Sequence, residues 1–189
     1  MKLQFFSLMI LVFFGFNKSI NAQQGMPIDA KTGLVSYSEV IESPVQKNEL
    51  YQRAKIWSEN NTYSKGLVTT ITDDKEMGRI VARGNFLLTQ NQKSYYVRYI
   101  NFKLTIECKD NKWRYEVTKL YTYNYSQGVL YTMDSEKANA PIEKSGAFDI
   151  TDFSKKNKNA QNTDELIMEI ISSLKENMDK PIIAEELNW

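Results

Sequence analysis

From Ile100 to Lys109 apolar and polar residues alternate without a break. Ile100, Phe102, Leu104, Ile106 and Cys108 fall on one side; Asn101, Lys103, Thr105, Glu107 and Lys109 fall on the other. A period of two over this length predicts a strand with one buried face and one wet face, the pattern of an antiparallel sheet covered on one side only. The run extends back to Tyr95, and Asp110-Asn111-Lys112 turns it into a second strand, Trp113 to Tyr125. There Trp113, Tyr115, Val117, Tyr121 and Tyr123 are expected to share a face. Upstream, Arg79 to Thr89 repeats the pattern through Ile80, Ala82, Gly84, Phe86 and Leu88. Leu67 to Asp73 precedes it, with Asp74 to Gly78 as the hairpin loop.

Two helices are expected to cover this sheet. Leu34 to Glu42 reads as a strand with Val35 and Tyr37 on one face, closed by Ser43-Pro44. A helix follows over 48–60, with Asn48 as its cap, Glu49 in its first turn and Leu50, Ala54 and Trp57 on one face. The second helix spans Asp164 to Met178. Leu166, Ile167, Ile170, Ile171, Leu174 and Met178 recur at helical spacing, Thr163 is its expected cap, and Pro181 stops it. Between them, 126–162 holds only weak strand signals, at Val129 to Met133 and Ala147 to Ile150. The predicted fold is α+β: an antiparallel sheet covered on one face by two helices, in the order β-α-β-β-β-β-α, over residues 34–178 with a tail at 179–189.

The N-terminus reads as a secretory signal. Lys2 is followed by an apolar stretch from Phe5 to Phe16 and a polar exit to Ala22. At 12 residues that stretch falls short of the roughly 20 needed to span a bilayer. The expected mature protein is exported, periplasmic or secreted, with 23–33 as a flexible leader. Removing residues 1–22 takes Lys2 and Lys18 and no acid, so the formal charge moves from +1 to −1. Such a balance gives no whole-domain pull toward nucleic acid or anionic membranes.

Several pieces together carry a family resemblance. Tyr37-Ser38-Glu39-Val40-Ile41, then Glu49-Leu50-Tyr51-Gln52-Arg53-Ala54 with Trp57, then Gly78-Arg79-Ile80-Val81-Ala82-Arg83-Gly84 resemble the domain of unknown function 4468. The hairpin of Leu104 to Tyr115 fits the same pattern, and the likeness runs over about residues 33–125. It implies a TATA-binding-protein-like fold and export from a member of the Bacteroidetes. It implies no activity and no catalytic residue.

Few residues carry chemistry of their own. With no His among 189 residues, triads and His-ligated metals are excluded, and a single Cys excludes an internal disulfide. Cys108 sits on the apolar side of its strand and reads as a buried thiol. Ser172-Ser173-Leu174-Lys175 holds a Ser-x-x-Lys spacing without its companion motifs. Asp73, Asp74 and Glu76 cluster in a hairpin loop but lack the spacing of a calcium loop. Gly84, on the core side of its strand, is expected to let the Trp57 helix come close. No cofactor or metal is expected.

The outer face is the better lead. It is expected to show Arg79, Arg83, Asn85, Asn101, Lys103, Arg114 and Thr118, while Tyr95, Tyr96, Tyr99, Tyr121, Tyr123, Tyr125 and Tyr131 crowd the strand ends. Tyrosine offers apolar area with a polar tip and suits recognition. Candidate binding residues are Arg83, Lys103, Arg114, Tyr95, Tyr99 and Tyr123. The reading is an exported, non-enzymatic binding module whose partner is an envelope protein or a small ligand; Glu107 and Glu116 count against nucleic acid. The alternative is a His-independent hydrolase built on carboxylates or on Ser and Lys.

Overall fold

A computed structural model describes residues 25–60, 62–63, 66–91, 96–126, 142 and 158–182. In chain order the elements are β1 (Tyr37–Glu42), α1 (Lys47–Asn60), β2 (Thr62–Tyr63), β3 (Gly66–Asp74), β4 (Arg79–Asn91), β5 (Tyr96–Lys109), β6 (Lys112–Ser126) and α2 (Lys158–Asp179). The six strands form one sheet in the order β1-β6-β5-β4-β3-β2, every neighbour antiparallel. β3 to β6 are a meander of hairpins, and β1 closes the far edge by pairing Tyr37 with Val117 through Glu42 with Lys112. The two-residue β2 is an addition to the expected order.

The expected alternation builds the core. Ile80, Ala82 and Phe86 of β4, Ile100, Phe102, Leu104, Ile106 and Cys108 of β5, and Trp113, Tyr115 and Val117 of β6 are buried. Against them lie Leu50, Tyr51, Ala54 and Trp57 of α1 and Ile167, Ile170, Ile171, Leu174 and Met178 of α2. Polar side chains lock the layers. Arg53 donates to the Met178 carbonyl at 2.6 Å, Trp57 Nε1 donates to Ser173 Oγ at 3.2 Å, and Lys55 pairs with Asp73 at 2.8 Å. Tyr37 donates to Asp164 at 2.7 Å; burial holds that carboxyl above its ordinary range despite the hydrogen bond.

The helix starts differ from the sequence expectations. α1 begins at Lys47, whose backbone N–H donates to Asp110 Oδ1 at 2.9 Å, so a carboxylate from the β5–β6 turn does the work expected of Asn48. α2 begins at Lys158, so Thr163 lies inside the helix and is fully buried, with no hydrogen-bond partner for its hydroxyl. The segment expected as a leader is ordered over its described part. Met26 is buried, Ile28 bridges Val35, and Asp29 accepts bonds from Thr32 and from the Lys31 backbone. Met26 gains burial that a free leader forgoes, and Asp29 supplies the turn.

Gly84 has another cause than the one expected. A Cβ there would lie 1.9 Å from the Phe102 ring on the neighbouring strand, so the ring of its cross-strand partner, not the Trp57 helix, requires glycine. Gly78 closes the β3–β4 hairpin with φ +64°, a conformation that glycine adopts without cost.

Candidate functional site

Both described helices pack on one face of the sheet, and the other face is bare among the described residues. Cross-strand register arranges that face in rows. Leu87 pairs with Tyr99; Asn85 with Asn101 and Tyr121; Thr69 with Arg83, Lys103 and Thr118; Val81 with Thr105 and Glu116; Arg79 with Glu107 and Arg114. The side chains expected outside therefore are outside.

Sequence periodicity misplaced one part of β6. A bulge opposite Phe102, with Lys119 at φ +53°, inserts an extra residue between Val117 and Tyr121. Leu120 and Thr122 turn into the core, and Tyr121 moves to the open face, half-buried beside Asn101. It does not share the face of Trp113, Tyr115 and Val117. The available signal was Leu120, an aliphatic residue three positions after Val117 and so out of phase with it.

The six candidate residues divide. Arg83 and Lys103 stand directly opposite each other on β4 and β5, and among the described residues neither has an ion-pair partner. Tyr99 is half-buried on the same face, four residues along β5 from Lys103. Arg114 is committed elsewhere: its Nε and Nη2 both lie 2.6 Å from Glu107 Oε2, and Arg79 Nε is 3.5 Å from the same carboxylate's other oxygen. In that row one carboxylate is shared by two guanidinium groups. Tyr95 lies outside the described residues; Tyr123 is paired with Tyr99 in the backbone register, and its side chain is outside the described set. A shallow concavity at the end of the open face is lined by Val40, Glu107, Lys109, Lys112, Trp113 and Arg114. Val40 is 58% exposed there, the apolar element among charges.

The fold and this face can now be set beside known proteins. Residues 37–123 match the family described as a domain of unknown function (DUF4468) with TBP-like fold. Over that span, 87 of the 189 residues, the chain is similar to the DUF4468 family. A DUF4468 family protein from Bacteroides ovatus is similar in structure at TM-score 0.56 and 15% identity, covering 87% of this chain and 98% of its own. A TBP-like protein from Parabacteroides distasonis gives TM-score 0.50 at 20% identity, covering 78% and 96%. At such identities the likeness establishes the fold alone. No curated protein matches the chain.

The other candidate chemistry of this chain is spent on structure. Cys108 is buried, and its thiol is pushed up to about 12, by desolvation first and Glu107 second. Of the Ser172-x-x-Lys175 spacing, Lys175 pairs with Glu39 at 2.5 Å and lies 5.6 Å above the Tyr115 ring. In the hairpin loop Asp74 accepts the Met77 N–H at 2.9 Å and Asp73 holds Lys55. Among the described residues no group of three or more potential ligands could hold a metal, and no helix is long and apolar enough to cross a membrane.

Proposed function

We propose that this chain is an exported, non-enzymatic binding module that engages an envelope partner through its open sheet face. One observation carries the reading: Arg83 and Lys103 face each other across adjacent strands, and among the described residues neither is paired with a carboxylate. Like charges directly opposite on a sheet oppose folding by a few tenths of a kcal/mol or more, so the pair costs stability where it stands. A partner group of opposite charge offsets that cost on binding. The half-buried Leu87, Tyr99 and Tyr121 supply adjoining apolar area, as recognition surfaces do. The signal-like segment 1–22 supports export, and the Bacteroides and Parabacteroides origin of the structural neighbours agrees with an envelope setting.

The test is a photo-crosslinking amino acid at position 85, exposed on the same face one row from the cation pair, in the producing cell, with position 75 in the exposed β3–β4 turn as control. A discrete higher-mass band at 85, absent at 75 and weakened by Lys103→Gln, is the expected result. A folded, exported protein that crosslinks to nothing from position 85 overturns the reading. Fractionation of the same cells checks export: the processed chain belongs in the envelope or medium, and retention of the full-length chain in the cytoplasm contradicts it.

A further inference from the structure

The open face is graded along its strands. At one end lie Leu87, Tyr99 and Tyr121, all half-buried; next comes the row Thr69–Arg83–Lys103–Thr118; beyond that come Glu116 and the Arg79–Glu107–Arg114 row, where one carboxylate joins two guanidinium groups. The cationic pair is thus bounded by aromatic and aliphatic area on one side and by rows of mixed charge on the other. Thr105 lies one row beyond the pair on the same face. It is only 5% exposed, and its hydroxyl has no hydrogen-bond partner.

A continuous polyanion does not fit this arrangement. A phosphate backbone demands an unbroken run of cations, and here Glu107 and Glu116 interrupt the run within one or two rows of Lys103. A single carboxylate with an apolar neighbour fits at once. Same-face side chains on an extended strand repeat at about 6.8 Å, the same step as the rows of this sheet. A ligand strand lying along β4 and β5 therefore places residue i over Arg83 and Lys103 and residue i+2 over Asn101 and Tyr121.

Resting on the binding reading above, we propose that the face takes a polypeptide segment with the spacing acid-x-aromatic. Its carboxylate is held between Arg83 and Lys103, and its ring lies on Tyr121 and Tyr99. The guanidinium supplies a forked donor and the ammonium a point charge, so the carboxylate engages both.

The probe is a fluorescein-labelled peptide, Gly-Glu-Thr-Phe-Thr-Glu-Thr-Phe-Gly, titrated against the purified protein by fluorescence anisotropy. Saturable binding is expected, weakened at least tenfold when Gln replaces Glu in the peptide and again in the Arg83→Glu protein. Arg83→Glu converts a like pair into an opposite one, so that variant is expected to melt at the same or a higher temperature while losing the peptide. Lys103→Gln is a second, milder variant with the same expected direction. Equal binding of the Gln peptide, or undiminished binding by Arg83→Glu, overturns the proposal, as does tighter binding of a short duplex DNA. If the peptide fails while the crosslink at position 85 persists, the carboxylate chemistry falls and the binding module stands. Failure of both removes both.

Discussion

Gly84 shows how one residue answers to a neighbour far along the chain. Its α-carbon sits beneath the Phe102 ring, and an added methyl would meet ring atoms at 1.9–2.4 Å. Ring and backbone cannot both stay in place, so Gly84→Ala is expected to cost about 1–3 kcal/mol by urea unfolding. Combining it with Phe102→Leu, which takes the ring off the strand, is expected to cost less than the sum of the two single changes. An additive double mutant contradicts the contact. The sequence placed Gly84 on the core side correctly and assigned it the wrong neighbour, because alternation gives the face of a residue but not its partner across the sheet. Arg83 and Lys103 were legible as outward cations for the same reason. Their direct opposition was not, since it depends on register between two strands about 20 positions apart.

At the scale of elements, strands were easier to read than their irregularities and helices easier than their ends. Strict alternation over β5 located a strand that runs from Tyr96 to Lys109. It broke down in β6, where the bulge at Lys119 changes phase and carries Tyr121 to the open face. Both helix starts differ from the sequence expectation, and for α1 the determinant is tertiary. α1 is capped from the β5–β6 turn by Asp110, 63 residues away, which no local capping pattern reveals. Asp110→Ala is expected to lower stability by about 1 kcal/mol, the scale of a lost helix cap, measured by thermal or urea unfolding. Asn48→Ala, changing the residue that the sequence suggested, is expected to cost much less. Comparable losses in both variants contradict the tertiary cap. The bond joins a cluster at this end, where Ser43 donates to the Asn111 carbonyl, Asn111 to that of Val45, and Cys108 to that of Gly78.

Taken whole, the molecule is two layers with unlike surfaces. The sheet presents Arg83 and Lys103, while the outer side of α2 presents Glu165, Glu169, Glu176 and Asp179, so a near-neutral chain carries an uneven charge distribution. Cys108 lies between the layers, 1% exposed, and reports on the integrity of both. Its raised thiol stays protonated in the fold where an unfolded thiol ionises. That contribution to stability is full below the unfolded value near 9 and is lost as pH rises toward about 12. At pH 8.5 a maleimide is expected to label Cys108 only as fast as the protein unfolds, and denaturant is expected to release it in step with the loss of circular dichroism. Rapid labelling of the folded protein contradicts the burial. The strand order has a consequence in time as well. β3 to β6 can zip together hairpin by hairpin, each closing a loop of a few residues, whereas β1 waits for a partner some seventy positions later. Loop closure over that span carries the larger entropy penalty, so β1 is expected to dock after the β3–β6 meander has formed.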